Sequence, residues 1–295
     1  MSAATTTPTT SPFPAKDSPR RALAAAPTPT PTLHVHRVGA GEPLVLLHGL
    51  GESHIGWRPV IDALSQGYDV IAVDLPGFGR SPALPAAVSP TAVNLAAAVN
   101  RTLDALGVGA YHVAGYSLGA RVAIHLADSD RVRSVIAIAP DGLGTPVERL
   151  QGFIAMVAGR GVAMALAPLD SWFPAGRSLF LAGTRSLPWQ IAPADAKQLL
   201  TDFADSPAYE ATNWASLFDM PTHLHTITQP ALFLQGTADP LMVPQISRYV
   251  GLIPRAKLIY LPGLNHVPIS DDPKTVAHHM RTFLAQAAPD EVTAE

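Results

Sequence analysis

The chain contains no cysteine, which excludes disulfides, thiolate metal sites and a cysteine nucleophile. It is also poor in charge: Asp, Glu, Lys and Arg supply 15% of 295 residues and leave a formal net charge of -3. That balance cannot build the basic field that a polyanion or an anionic membrane needs, so no nucleic-acid partner is expected. Aromatic residues are few, at 6%. No segment carries the ~18 uninterrupted apolar residues that would cross a bilayer, so no membrane span is expected either. What is abundant is hydrophobic side chain, at 47% of the chain, enough for a sizeable core. Any nucleophile must be oxygen or nitrogen.

Proline is concentrated at the N-terminus, with seven in the first 32 residues and Thr and Ala filling most of the rest. Such a composition cannot offset its own ordering entropy, so residues 1–32 are expected to form a disordered tail and 289–295 a flexible C-terminus. Arg20 and Arg21 followed by ALAAA have the outline of a twin-arginine export signal, but the apolar run stops at Pro27, short of an h-region. A cytoplasmic protein is the expectation.

From residue 33 the pattern changes to short apolar runs alternating with helical spacing. The runs are 33–38, 43–48, 69–73, 111–115, 133–138, 231–235 and 257–261. Several are apolar at consecutive positions, as in strands buried on both faces. Between them, 91–106 places Ala92, Leu95, Ala96, Val99, Leu103 and Leu106 near a 3.6 period. This alternation predicts an α/β fold with a mainly parallel, doubly wound sheet. From Asp141 to about Gln229 the rhythm breaks into Ala-, Leu- and Met-rich helical pieces punctuated by prolines, too long a stretch for an ordinary crossover. We read 33–143 and 226–288 as the core and 144–225 as a helical cap, or lid, over the carboxyl ends of the strands.

Gly115-Tyr116-Ser117-Leu118-Gly119 follows one strand and precedes a helical run, the context that a nucleophile elbow requires. A strained turn there pushes the serine out, and the helix behind it turns its N–H groups toward the reacting centre. With this motif the chain resembles the α/β-hydrolase superfamily, over about residues 33–286. The resemblance implies that the loop His48-Gly49-Leu50-Gly51 supplies a backbone N–H to an oxyanion, from Leu50 beside that of Leu118. The side chain of His48 is read as a packed brace. Asp74-Leu75-Pro76-Gly77-Phe78-Gly79-Arg80-Ser81 looks like the superfamily's structural turn after the next strand, and Phe78 is expected at the edge of the substrate cavity. His266, after the last strand, takes the position of the general base, and Asp239, after the 231–235 strand, that of its acid. Asp141, at the end of the strand before the cap, is the competing acid. The order Ser, Asp, His suits this fold.

Two histidine pairs raise the question of a metal. His34 and His36 share a strand face, as do His223 and His225, yet neither pair has a third ligand nearby in the sequence. No metal and no cofactor are expected. Aromatic and methionine residues of the cap offer an adaptable apolar wall. Substrate contacts are expected from Gly49, Tyr116, Phe78, Trp172 and Trp189. The reading is a serine hydrolase that cleaves a carboxylic ester of a hydrophobic small molecule. Alternatives are a carbon–carbon bond hydrolase, disfavoured by the short Gly-rich loop, a cofactor-free perhydrolase or haloperoxidase-like enzyme, and a ligand receptor that keeps the fold. Oligomeric state stays open.

Overall fold

The computed structural model describes residues 32–240 and 243–287. The expected tail, apart from Thr32, and the C-terminal residues 289–295 lie outside the described residues. Seven strands form one sheet: β1 Val35–Val38, β2 Glu42–Leu47, β3 Tyr68–Val73, β4 Tyr111–Tyr116, β5 Val132–Ile138, β6 Ala231–Gly236 and β7 Ala256–Leu261. Their spatial order is β1-β3-β2-β4-β5-β6-β7. β1 runs antiparallel to β3, and the other neighbours pair in parallel.

The helices are α1 Arg58–Leu64, α2 Ala92–Ala105, α3 Leu118–Leu126, α4 Pro146–Leu166, α5 Ala175–Leu181, α6 Pro193–Asp205, α7 Tyr209–Phe218, α8 Val243–Leu252, α9 Pro268–Asp271 and α10 Pro273–Ala287. The period-2 alternation of a strand explains why the sheet needs consecutive apolar residues. Val45, Leu47, Ile71, Val73 and Val113 point to the side covered by α2 and α3. Their neighbours Leu44, Leu46, Val70, Ala72 and Ala114 point to the opposite side, against α1 and α10. Every residue of β4 is buried.

The four helices α4–α7 fill the interval between β5 and β6, where no strand occurs among the described residues. Proline starts two of them: Pro146 and Pro193 sit in the first turn, where the missing N–H costs nothing. Thr145 and Glu148 form a reciprocal capping box at the start of α4. Helix α4 packs on α6 and α7. Together with the turn that follows it, Pro146–Leu169 is long and apolar enough, by length and composition alone, to cross a membrane, with an 18-residue window of mean hydropathy 1.6. The sequence reading passed over this segment because Gly, Glu and Arg interrupt its apolar run, while the average over the window remains high.

Candidate active site

Strand β4 ends at Tyr116 and α3 begins at Leu118, so the whole change of direction falls on Ser117. Its backbone has φ 54 and ψ -122, a sparsely populated region for a residue with a side chain. The turn closes only because both flanking glycines lack a β-carbon. A Cβ on Gly115 would lie 2.2 Å from the carbonyl oxygen of Gly119, and one on Gly119 would lie 2.2 Å from that of Leu47. The N–H of Leu118 stands in the first turn of α3, where no intrahelical acceptor exists.

The loop after β2 faces this turn. His48 is fully buried and braces it: Nε2 accepts from the Leu75 N–H at 2.8 Å, which leaves Nδ1 to donate to the Gly49 carbonyl at 2.8 Å. Burial lowers the pKa of this ring, in keeping with a neutral imidazole. Gly49 and Leu50 are thereby held beside Ser117.

His266 lies between β7 and α9, and its Nδ1 is 2.8 Å from Asp239 Oδ2. A carboxylate accepts, so Nδ1 carries the proton and Nε2 is the basic face. The same Asp239 oxygen accepts from Gln235 Nε2 at 3.0 Å. Burial pushes the His266 pKa down, but the charge and hydrogen bond of Asp239 outweigh it and the net shift is upward. Asp141 is placed differently: it faces Arg121 at 3.3 Å and acts on His266 only through its charge.

Ser117, His266 and Leu50 line two chambers. The larger holds about 390 Å³ and is walled mainly by apolar groups, among them Met156, Val162, Leu179, Phe180 and Phe203. The smaller, about 80 Å³, is bordered by Asp141, Phe153, Asn213 and Gln245. Gly49 and Tyr116, two of the expected substrate contacts, line the larger chamber.

Three expected substrate contacts are corrected. Phe78 is fully buried in the core beside His48, at a ring separation of 5.8 Å, and borders neither chamber. Trp172 and Trp189 are 89% and 68% exposed. Both sit in tight turns between helices, and those turns run along the outside of the insertion. Conversely, the sequence reading missed Glu52 and Arg185, which form a buried ion pair in the wall of the larger chamber. Glu52 had a signal, being a charge set directly behind a Gly-rich loop. Arg185 had none.

The fold brings His34 and His223 neighbours from segments distant in the sequence. Ligand atoms of His34, His54 and Asp74 lie within 4.8 Å of one another, as do those of His125, Asp128 and His223. In the first group Asp74 Oδ1 already accepts from the main-chain N–H and Nδ1 of His54 at 2.7 and 2.8 Å. Burial alone would raise the Asp74 carboxyl, but these bonds hold it at about 2.

The sequence profile of the alpha/beta hydrolase fold matches residues 42–273, and the chain belongs to that family. A pimeloyl-[acyl-carrier protein] methyl ester esterase of Aeromonas hydrophila is 31% identical over 272 residues, covering 85% of this chain and 98% of that protein. Shorter stretches match two others. A 2-hydroxy-6-oxo-6-phenylhexa-2,4-dienoate hydrolase of Burkholderia cepacia is 36% identical over 38% of this chain and 41% of its own length. The dihydrolipoyllysine-residue acetyltransferase component of the acetoin cleaving system of Cupriavidus necator is 35% identical over 41% of this chain and only 33% of its own length. The solved structure of an esterase from a Rhodococcus species superposes with a TM-score of 0.69 at 26% identity, covering 86% of this chain and 94% of that one.

Proposed function

We propose that this protein is a serine hydrolase that cleaves a carboxylic ester of a hydrophobic small molecule through an acyl-enzyme. The observation that carries the reading is the strained Ser117 turn, which opens with His266 into an apolar chamber of about 390 Å³. Chemistry follows from the protonation state set by Asp239. As Ser117 Oγ bonds to the acyl carbon, its proton passes to His266 Nε2 and the carbonyl π pair moves to oxygen. The N–H groups of Leu50 and Leu118 are the donors assigned to that oxyanion. Collapse expels the alcohol oxygen, which takes the proton from His266. Water then repeats the sequence and releases the acid.

An apolar chamber distinguishes chain lengths weakly, so several medium acyl chains should be accepted. Ester chemistry is supported by the methyl ester esterase, matched over 98% of its length, while the dienoate hydrolase is matched over 41% of its own. The test is twofold: labelling with a fluorophosphonate, read as added mass on Ser117, and turnover of p-nitrophenyl esters of increasing acyl length. An unreactive but folded protein would favour a receptor, and turnover confined to charged or sugar-bearing esters would refute the hydrophobic substrate.

A further inference from the structure

We propose that Arg185 is a positioning residue for the active site, acting through Glu52 to set the nucleophile turn and the oxyanion loop only when the helical insertion is seated. The inference rests on the hydrolase reading above. Arg185 belongs to the connection between α5 and α6, yet its side chain is only 1% exposed, because it leaves the insertion and enters the core. Its Nη2 donates to both carboxylate oxygens of Glu52, at 2.9 Å each. Glu52 is two residues beyond Leu50. Its Oε2 also accepts from the hydroxyl of Tyr116, at 2.6 Å, and Tyr116 directly precedes Ser117.

One carboxylate therefore ties three elements together: the loop after β2, the nucleophile turn and the insertion. Burial opposes the Glu52 charge, but Arg185 and the Tyr116 hydroxyl outweigh it and keep the carboxylate ionised. The backbone makes room for the cluster at Gly56, where a Cβ would meet the Tyr116 hydroxyl at 2.1 Å and Glu52 Oε2 at 2.7 Å. The same short segment is sewn to the histidine loop. Arg185 Nε donates to Ser270 Oγ at 3.3 Å, and the Val267 N–H donates to the Thr184 carbonyl at 3.0 Å. Asp271 Oδ1 accepts from the Ser186 N–H at 2.7 Å, while its other oxygen accepts from the Asn265 N–H at 3.0 Å. Thr184–Ser186 thus touches the loops that carry both Leu50 and His266. A substrate-sized chamber could be roofed without any of these bonds, since its wall is mainly apolar; the bonds fix geometry rather than volume.

Arg185→Met should lower kcat for p-nitrophenyl butyrate by about 100-fold, the scale of a displacement of about 1 Å at a reacting centre, with KM changed by no more than a few-fold. The rate of fluorophosphonate labelling at Ser117 should fall in step. Because that variant leaves Glu52 buried and unpaired, the double variant Glu52→Gln with Arg185→Met is the control: it should recover melting temperature without recovering kcat. Parental kcat in the folded double variant would overturn the proposal, as would a rise in KM at unchanged kcat, which would make Arg185 a substrate contact. If the parent protein itself is not labelled, the hydrolase reading fails first. If the parent is labelled and Arg185→Met is labelled equally fast, this inference alone fails.

Discussion

The sheet core and helix α4 of the insertion use the same kinds of side chain in opposite ways. In β4 and β6 every residue is buried. In α4 only Ala163 is, and Val147, Ile154 and Val157 are all more than half exposed. The core is held by apolar burial spread over two faces of a sheet. The insertion joins that core through Leu200, Phe203 and Tyr209 of α6 and α7, and is fixed on it at discrete polar points: Arg185 on Glu52, Ser53 on Asp202, and Arg121 on the Ser216 hydroxyl and the Asp219 carbonyl. Such points specify position sharply while contributing little non-directional attraction. The proposed chemistry falls where the two designs meet, with Ser117 and His266 on the core and most of the chamber wall on the insertion.

The largest expected effect falls on the core side of that boundary. Ser117→Ala should leave folding intact and reduce ester turnover by on the order of 10⁶, since the nucleophile and base act as a unit. Turnover within a few-fold of the parent would show that another residue attacks. Asp239→Asn should cost on the order of 10⁴, because the acid holds the tautomer and stabilises the imidazolium while the oxyanion donors remain. Asp141→Asn should keep much of its activity, because Asp141 faces Arg121 rather than the imidazole. Steady-state kinetics on the pair decides between them, and the reverse ranking would move the acid to the end of β5.

These core positions were legible because their signals are local. Consecutive apolar residues predict strands within a residue or two of β2, β3, β4, β6 and β7, and a buried strand followed at once by Gly-x-Ser-x-Gly has few other uses. His266 stood out by its place after the last such strand. The wall of the chamber was not legible. Helical spacing in the insertion marks one face as apolar, but α4 is apolar on several sides, so periodicity cannot say which side meets the core. The pair Glu52 and Arg185 is separated by 133 positions, and no local pattern joins them. The same blindness hid the neighbours that the fold brings to His34 and His223.

Packing sharpens the contrast. Phe233 on β6 is fully buried, with its ring 5.8 Å from that of Tyr249, so Phe233→Ala should destabilise the protein by about 3–5 kcal/mol. Urea denaturation followed by circular dichroism reads this directly, and a loss well below that range would mean that the core tolerates voids. A smaller effect concerns pH. The His266 pKa lies above the ordinary 6.5, so the acid limb of kcat/KM should have its midpoint above 6.5 and move down in Asp239→Asn. The sign for stability is the opposite of that for activity. Protonated His266 binds Asp239 best, so its contribution to stability is fully present below the unfolded histidine range and is lost as pH rises through the raised value. Activity and this part of the stability should therefore cross over in the same pH window.

The smallest effect is expected at the exposed tryptophans. Trp172 and Trp189 invite a role in substrate binding because each is large, apolar and set in a break between helices, where a side chain is free to turn inward. In the structure they are 89% and 68% exposed, and the larger chamber is closed by Phe180 and Phe203 instead, whose rings meet edge to face at 5.0 Å. Replacing either tryptophan by Ser removes few contacts from the folded state, so stability should stay within about 0.5 kcal/mol of the parent. The kinetic consequence is more discriminating. A wall residue would change the dependence of kcat/KM on acyl length, because each methylene it meets alters transition-state binding by about 1–3 kcal/mol. Trp172→Ser and Trp189→Ser should leave the acyl-length profile of p-nitrophenyl esters unchanged, whereas Phe180→Ala, inside the chamber, should shift it toward longer chains. A profile that moves with either tryptophan would place its ring against bound substrate, and the division between an outer face and a chamber wall in the insertion would have to be redrawn.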